Sequence, residues 1–364
     1  MTSLSDAIAV KPAYTRTGVR DPLLNRYPPT TVYDAEISKF WTIGSVAQGG
    51  YLLSILTRAA TTHQQLAGSA HVDPAHLTSQ FLSASIVGRA QVEVRVVSTS
   101  KRWTRLDAEL WQYDHPSPDT TDFVHAHRTL RITAHFLFAK LENVFDLANT
   151  SPTAPVPTFL DRTCPILQHP GQVDMANGGT WIPDKFGFKD GMRWKEVEYE
   201  QEGQEIKWAG WFEVTQGEDL TQCADLIPFF ADASKNGPEI LGQGKRKAVS
   251  WYPTMTLSLD FKTSFPLPRS SPSSRTTFGL FASVKSIQAG RHDLTVEVWT
   301  APCDLGDSAK SVSKDWRSEA RLVGVSTQMA LTTTMAFNQS RDTRGSGSSS
   351  DGSSSDEGGK KARL

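Results

Sequence analysis

Twice along this chain a helical stretch gives way to a run of alternating apolar and polar residues, and that repetition restricts the fold more than any single motif. In the first instance, residues 44–63, the positions Leu52, Ile55, Leu56, Ala59 and Ala60 recur at helical spacing behind a Gly49-Gly50 pair. Ser54, Thr57, Arg58 and Thr61 fall on the other side of that helix. Residues 77–85, 90–98, 104–112 and 124–138 then read as strands, rich in Val, Leu, Ile, Thr and aromatics. In the second instance, 208–214 reads as a strand and 220–230 as a helix with Leu220, Cys223, Ala224 and Ile227 on its apolar face. Pro228 should end or kink that helix. Residues 250–265 alternate strictly, with Trp251, Met255, Leu257, Leu259 and Phe261 facing one way, and 278–287, 293–300 and 319–333 supply further strands. A helix that covers one face of an antiparallel sheet, occurring twice, makes the chain α+β and a tandem duplication.

Between the two units lies a proline-rich linker with a Gly178-Gly179 pair, and before the first lies an arm with Pro12, Pro22, Pro28 and Pro29 that reads as irregular. After Phe337 the tail is Ser, Gly and Asp, a composition that cannot bury a core. The expected organisation is an arm over 1–34, units over 35–144 and 191–338, the linker over 145–190 and the tail over 339–364.

Charge and cysteine content exclude several partners. Lys and Arg number 38 against 39 acids, so no basic stripe for nucleic acid is present. Cys164, Cys223 and Cys303 lie far apart with no metal-ligand spacing, which points away from a bound metal or a disulfide framework and toward a reducing interior. No apolar run is long enough to span a bilayer, and residues 1–20 lack the apolar core of a secretory signal. A Gly-x-Ser-x-Gly elbow, a phosphate loop and a His-Glu-x-x-His motif are all missing, so no cofactor is expected. His125, His127 and His135 could line one strand face, the usual place of a structural histidine.

Three polar residues of the second unit stand out on otherwise apolar elements: Asp225 on the helical stretch, Thr254 early on the alternating strand, and Gln328 on the last strand, whose own face carries Ala320, Gly324, Ser326 and Ala330. Gly49 and Gly50 sit where a helix begins, and free backbone N–H groups there favour a developing anion. The plain alternative for each is a solvated helix end, a wet strand face, a strand edge and a tight turn.

These residues resemble the acyl-CoA thioesterase II family and, more broadly, thioesterase-like proteins with two hotdog domains in one chain. The resemblance runs through Gln48-Gly49-Gly50-Tyr51-Leu52-Leu53, Trp211-Phe212-Glu213-Val214, Cys223-Ala224-Asp225-Leu226, the strand from Pro253 to Phe261, and Val325-Ser326-Thr327-Gln328. It implies a double hotdog, two helix-on-sheet units sharing one extended sheet, and hydrolysis of acyl-CoA to free acid and CoA by a water held by Asp225, Thr254 and Gln328. Thr256 is the substitute for Thr254 if the register is off by two. Gly49 and Gly50 would bind the oxyanion, and Lys101, Arg102 or the Lys245-Arg246-Lys247 cluster could meet CoA phosphates. Two rivals remain at this stage: an acyl-CoA binding protein without turnover, and a hotdog hydratase, for which only Asp122 and His127 have the right spacing. Self-association into a homo-oligomer is compatible with either. The chain closes on Ala362-Arg363-Leu364 behind a flexible stretch, which resembles a peroxisomal tripeptide read by an import receptor, so peroxisome is the expected location and cytoplasm the alternative.

Overall fold

The computed structural model describes residues 2–17, 28–113, 128–141, 163–175, 186–197, 205–242, 250–268, 273–308 and 313–339. Asp122, His125, His127, the Lys245-Arg246-Lys247 cluster, the tail beyond Gln339 and Ala362-Arg363-Leu364 lie outside them.

In chain order the first half contains helix α1 (Leu4–Ala7), strands β1 (Val10–Arg16) and β2 (Thr30–Ile37), and a short pair β3 (Thr42–Ile43) and β4 (Val46–Ala47). Helix α2 (Gly49–Leu66) follows, then β5 (Asp73–Phe81), β6 (Gly88–Thr99), β7 (Thr104–Tyr113) and β8 (Arg128–Ala139). The second half contains β9 (Met192–Val197), β10 (Ile206–Val214), α3 (Ile227–Ala231), α4 (Gly237–Ile240), β11 (Ser250–Trp251) and β12 (Thr254–Phe261). It ends with β13 (Thr277–Val284), β14 (Ile287–Gln288), β15 (Arg291–Thr300), α5 (Trp316–Glu319), β16 (Leu322–Leu331), β17 (Thr333–Thr334) and α6 (Met335–Gln339).

One antiparallel sheet of thirteen strands joins the halves, in the order β1-β2-β6-β7-β8-β5-β12-β16-β15-β13-β10-β9, with β14 paired to β15. The order is a palindrome. Ser258 faces Thr78 across the central β5/β12 pair, and a half turn about an axis normal to the sheet midway between them lays β12 on β5, β16 on β8, β15 on β7, β13 on β6 and β10 on β2. Each half is a five-stranded hotdog sheet with one added edge strand, and the chain is a double hotdog. The repeat expected from the sequence is thus a true two-fold arrangement, closed by a β5/β12 seam rather than by a crossover.

Both helices lie on the same face of the sheet. The apolar stripe of α2 is fully used: Leu52 is 3% exposed, and Ile55, Leu56, Ala59 and Ala60 are 0% exposed. Its polar side is largely withdrawn from water, with Arg58 and Thr61 only partly exposed. Ser54 and Thr57 are also 0% exposed, because α3 packs along that side. The Ser54 Oγ accepts from the Phe229 N–H at 3.2 Å, and Thr61 donates to Asp225 Oδ1 at 2.9 Å. The polar stripe that reads as a solvent face is the seam between the two units. Gly50 is what lets the backbones meet there: a Cβ at that position would sit 2.3 Å from the Pro228 carbonyl oxygen.

Three further expectations change. Residues 220–230 are not one helix. A 3₁₀ turn at Ala224–Leu226 leads into α3, and Pro228, at the second position of α3, sits where a missing N–H costs nothing, so it starts the helix instead of ending it. The arm over 1–34 is not irregular, since α1, β1 and the start of β2 lie in it; Leu4 and Ile8 are 0% exposed, and the Tyr51 hydroxyl donates to the Ala7 carbonyl at 3.0 Å. Within the proline-rich linker, Cys164, Ile166 and Val173 form a second small core with Trp211, Trp299 and Trp316, and the Trp211 indole donates to the Gln168 carbonyl at 2.8 Å. The segment covers aromatic surface on the sheet face away from the helices.

Candidate active site

Thr254 reaches the helix side of the sheet by an irregularity. Along β12, Leu257, Leu259 and Phe261 point toward the helices and are buried, so simple alternation would send Thr254 the other way. The register with β16 slips between Thr254 and Thr256: Thr254 pairs with Ala330, while Thr256 pairs with Met329. One extra residue, Met255, is absorbed as a bulge, and the bulge turns Thr254 inward. Thr254 therefore shares a face with Ala330 and, one step along β16, with Gln328, which pairs with Leu257. Thr256 does not share that face. It lines a groove on the far side of the sheet with Thr78, Gln80, Ser258 and Thr327, and it is no substitute for Thr254.

Gln328 is positioned by the end of α3. The last carbonyls of a helix lack intrahelical donors, and that of Ala231 accepts from Gln328 Nε2 at 2.8 Å and from Ser326 Oγ at 3.0 Å. With its amide nitrogen committed there, Gln328 turns Oε1 toward Thr254 Oγ1, 3.4 Å away. Small residues make the approach feasible, since a Cβ on Gly324 would lie 2.8 Å from Ile227.

The carboxylate at this place is Asp232, the residue that follows α3. Its Oδ1 accepts from Thr254 Oγ1 at 3.0 Å, and its Oδ2 accepts from the Gly50 N–H at 2.8 Å and from Gln48 Nε2 at 2.9 Å. Asp232 lies deep among protein atoms while part of its surface stays open. Loss of hydration pushes its carboxyl up to about 6, with the Gly50 N–H and the Thr254 hydroxyl opposing the rise.

Asp225 does not join Thr254 and Gln328. It is 2% exposed at the other end of α3, 3.0 Å from Arg58 Nε in an ion pair that is not aligned as a hydrogen bond, and it accepts from Thr61. Burial raises its carboxyl, while Arg58 and then Thr61 oppose the rise. Its role is to close the seam between α3 and α2. The two aspartates sit seven positions apart, two turns of an ideal helix, so on a helical reading they share one phase and only the true end of α3 tells them apart. Asp232 was legible as the first charge after the apolar run 226–231. Gln48, 2% exposed, showed as the one amide in Val46-Ala47-Gln48-Gly49-Gly50.

Gly49 and Gly50 both abut the site but differ in use. The Gly50 N–H is taken by Asp232, the Tyr51 N–H by Gln48 Oε1, and the Leu52 N–H by the Gln48 carbonyl. Gly49 keeps the first-turn N–H that has no acceptor among the described residues, and a Cβ there would lie 2.8 Å from Asp232 Oδ2. Lys101 and Arg102 are exposed in the β6–β7 turn, beside Thr104, whose row runs through Phe138 to Pro74 at the end of β5 remote from Thr254. They are not brought to the site. Among the described residues no His, Cys, Asp and Glu group could hold a metal ion, and no helix is long and apolar enough to cross a membrane.

The two-fold axis places a second, equivalent location in the first half, and its chemistry is different. The counterpart of Thr254 is Pro74 and that of Gln328 is Phe136, which pairs with Leu77 as Gln328 pairs with Leu257. Only one of the two equivalent locations carries the polar set.

Residues 37–136 match the family model described as the acyl-CoA thioesterase N-terminal domain. Comparison with the curated proteins gives no match. Among solved structures, a candidate thioesterase II from Thermobifida fusca YX aligns with a TM-score of 0.58 at 19% identity, over 91% of this chain and 99% of its own. A protein of unknown function with a hot dog fold from Alicyclobacillus acidocaldarius aligns with a TM-score of 0.59 at 15% identity, over 91% and 98%. The acyl-CoA thioesterase II TesB2 from Mycobacterium marinum aligns with a TM-score of 0.50 at 12% identity, over 83% and 92%. At these identities the structures speak for the fold, and the family model speaks for the first unit. Residues 37–136 thus match an acyl-CoA thioesterase N-terminal domain, and the chain as a whole shares the double hotdog fold of these structures.

Proposed function

We propose that the chain hydrolyses acyl-CoA thioesters with a water held between Asp232, Thr254 and Gln328. The observation that carries the reading is the convergence of a carboxylate raised to about 6, a hydroxyl and an amide oxygen beside the start of α2. The Thr254 hydroxyl has one proton, and the shorter contact gives it to Asp232. Asp232 Oδ1 and Gln328 Oε1 then each have an acceptor site left for a water. A water that donates one proton to each presents its own lone pair outward, toward the thioester carbonyl carbon.

Attack forms the C–O bond as the water passes one proton to Asp232, a general base matched to near-neutral pH. The carbonyl oxygen becomes an oxyanion, for which the Gly49 N–H and the positive end of α2 are the available stabilisers. Collapse breaks the C–S bond, and the proton held by Asp232 goes to the leaving thiolate, giving free acid, CoA–SH and the carboxylate again. No cofactor or metal enters this balance.

The test is release of free thiol from a panel of acyl-CoAs by the full chain, with Asp232→Asn as control. Release that the variant loses supports the reading. An intact thioester with the wild-type chain, over the whole panel, overturns it.

A further inference from the structure

Gln48 belongs to the other half of the molecule and touches Asp232 twice. Its Nε2 donates to Asp232 Oδ2 at 2.9 Å and to the Asp232 carbonyl at 3.1 Å, and its Oε1 accepts from the Tyr51 N–H. The Tyr51 donor fixes which end of the amide is which, because an N–H requires an oxygen. Gln48 is thus the N-cap of α2 and, through its second end, a clamp on the carboxylate from across the seam.

We propose that Gln48 is a positioning residue for the reaction: anchored by its capping bond, its amide fixes the rotation of the Asp232 carboxylate and leaves Oδ1 as the oxygen that faces Thr254 and the water. This rests on the hydrolytic reading above for its consequence, and on geometry alone for the contact. Without the Nε2 donor, Oδ2 keeps only the Gly50 N–H, and the carboxylate can turn about Cβ–Cγ.

The charged surroundings of Asp232 make the effect readable. The groups acting on it are the Gly50 N–H, the Gln48 amide and the Thr254 hydroxyl. Lys235 is paired with Glu196 at 3.1 Å, His292 with Asn236 at 2.9 Å, and Arg58 on α2 with Asp225. Among the described residues no charged group acts on Asp232, so its proton equilibrium is set there by burial and by these neutral donors.

The discriminating variant is Gln48→Glu. A glutamate still accepts from the Tyr51 N–H, so the cap is kept, but it offers Asp232 an acceptor in place of a donor. In wild-type and variant chains with 13C-labelled aspartate, the Asp232 carboxyl is followed by NMR over pH, assigned through Asp232→Asn, while kcat/KM is measured over the same range. The expected result is a midpoint about one pH unit or more above that of the wild-type chain, with the acid limb of kcat/KM displaced by the same amount. If Gln48→Glu does not fold, Gln48→Met is read instead, and it is expected to shift the midpoint upward by a smaller amount. A midpoint and a limb both unchanged would overturn the proposal. A shifted midpoint in a chain that hydrolyses no thioester leaves the Gln48 contact standing and refutes the hydrolytic reading alone.

Discussion

A carboxyl held at about 6 in the folded chain, against 3.8 in an unfolded one, makes Asp232 a cost to stability as well as a base. Between those values the folded chain binds the proton more tightly, so stability falls as pH rises from about 4 to about 6 and stays lower above it. Asp232→Asn is therefore expected to lower kcat by about 100-fold or more while raising stability at pH 8 by about 1–3 kcal/mol. Denaturant melts of both chains at pH 4 and pH 8 check the sign, since the difference should shrink at the lower pH. Asp225 differs in what it holds together. Asp225→Ala leaves Arg58 and Thr61 without their acceptor in the seam and is expected to cost about 1–3 kcal/mol, with the turnover of the folded fraction unchanged.

At the scale of elements, two devices aim the site: the glycine pair that lets α2 meet α3, and the bulge at Met255. Gly50→Ala puts a Cβ against the Pro228 carbonyl, where only backbone could give way, and is expected to cost about 1–3 kcal/mol and to separate the Gly50 N–H from Asp232. Deletion of Met255 restores the alternation of β12 and returns Thr254 to the outer face, so the chain should keep its far-ultraviolet dichroism and lose turnover. The bulge also marks where sequence reasoning stops. The helix and strand periods of 52–60, 104–112 and 257–261 were readable because one side of each element is buried against the core. A one-residue slip in pairing leaves no periodic trace, and a buried seam with polar partners, such as Ser54 and Thr61, looks like a solvent face. Thr254, Gln328 and the glycine pair were legible as polar or small residues on apolar elements. Asp232 was displaced in the reading by Asp225, two turns earlier in phase.

Over the whole molecule, the palindromic sheet means that neither half is complete. Separation exposes the edges of β5 and β12 and the buried faces of α2 and α3, so each half expressed alone should aggregate or fail to melt cooperatively, and the two co-expressed should associate. The two-fold arrangement carries a single polar set, with Pro74 and Phe136 where its counterpart would be. The site itself spans the duplication, since Gln48 and Gly50 come from one half and Asp232, Thr254 and Gln328 from the other. The most direct test of that account compares thiol release from one acyl-CoA by wild-type, Asp232→Asn and Asp225→Asn chains at pH 8, each confirmed folded. The structure predicts a loss of about 100-fold or more for Asp232→Asn and a rate within a few-fold of wild type for Asp225→Asn. A severe loss in Asp225→Asn with Asp232→Asn still active would contradict it.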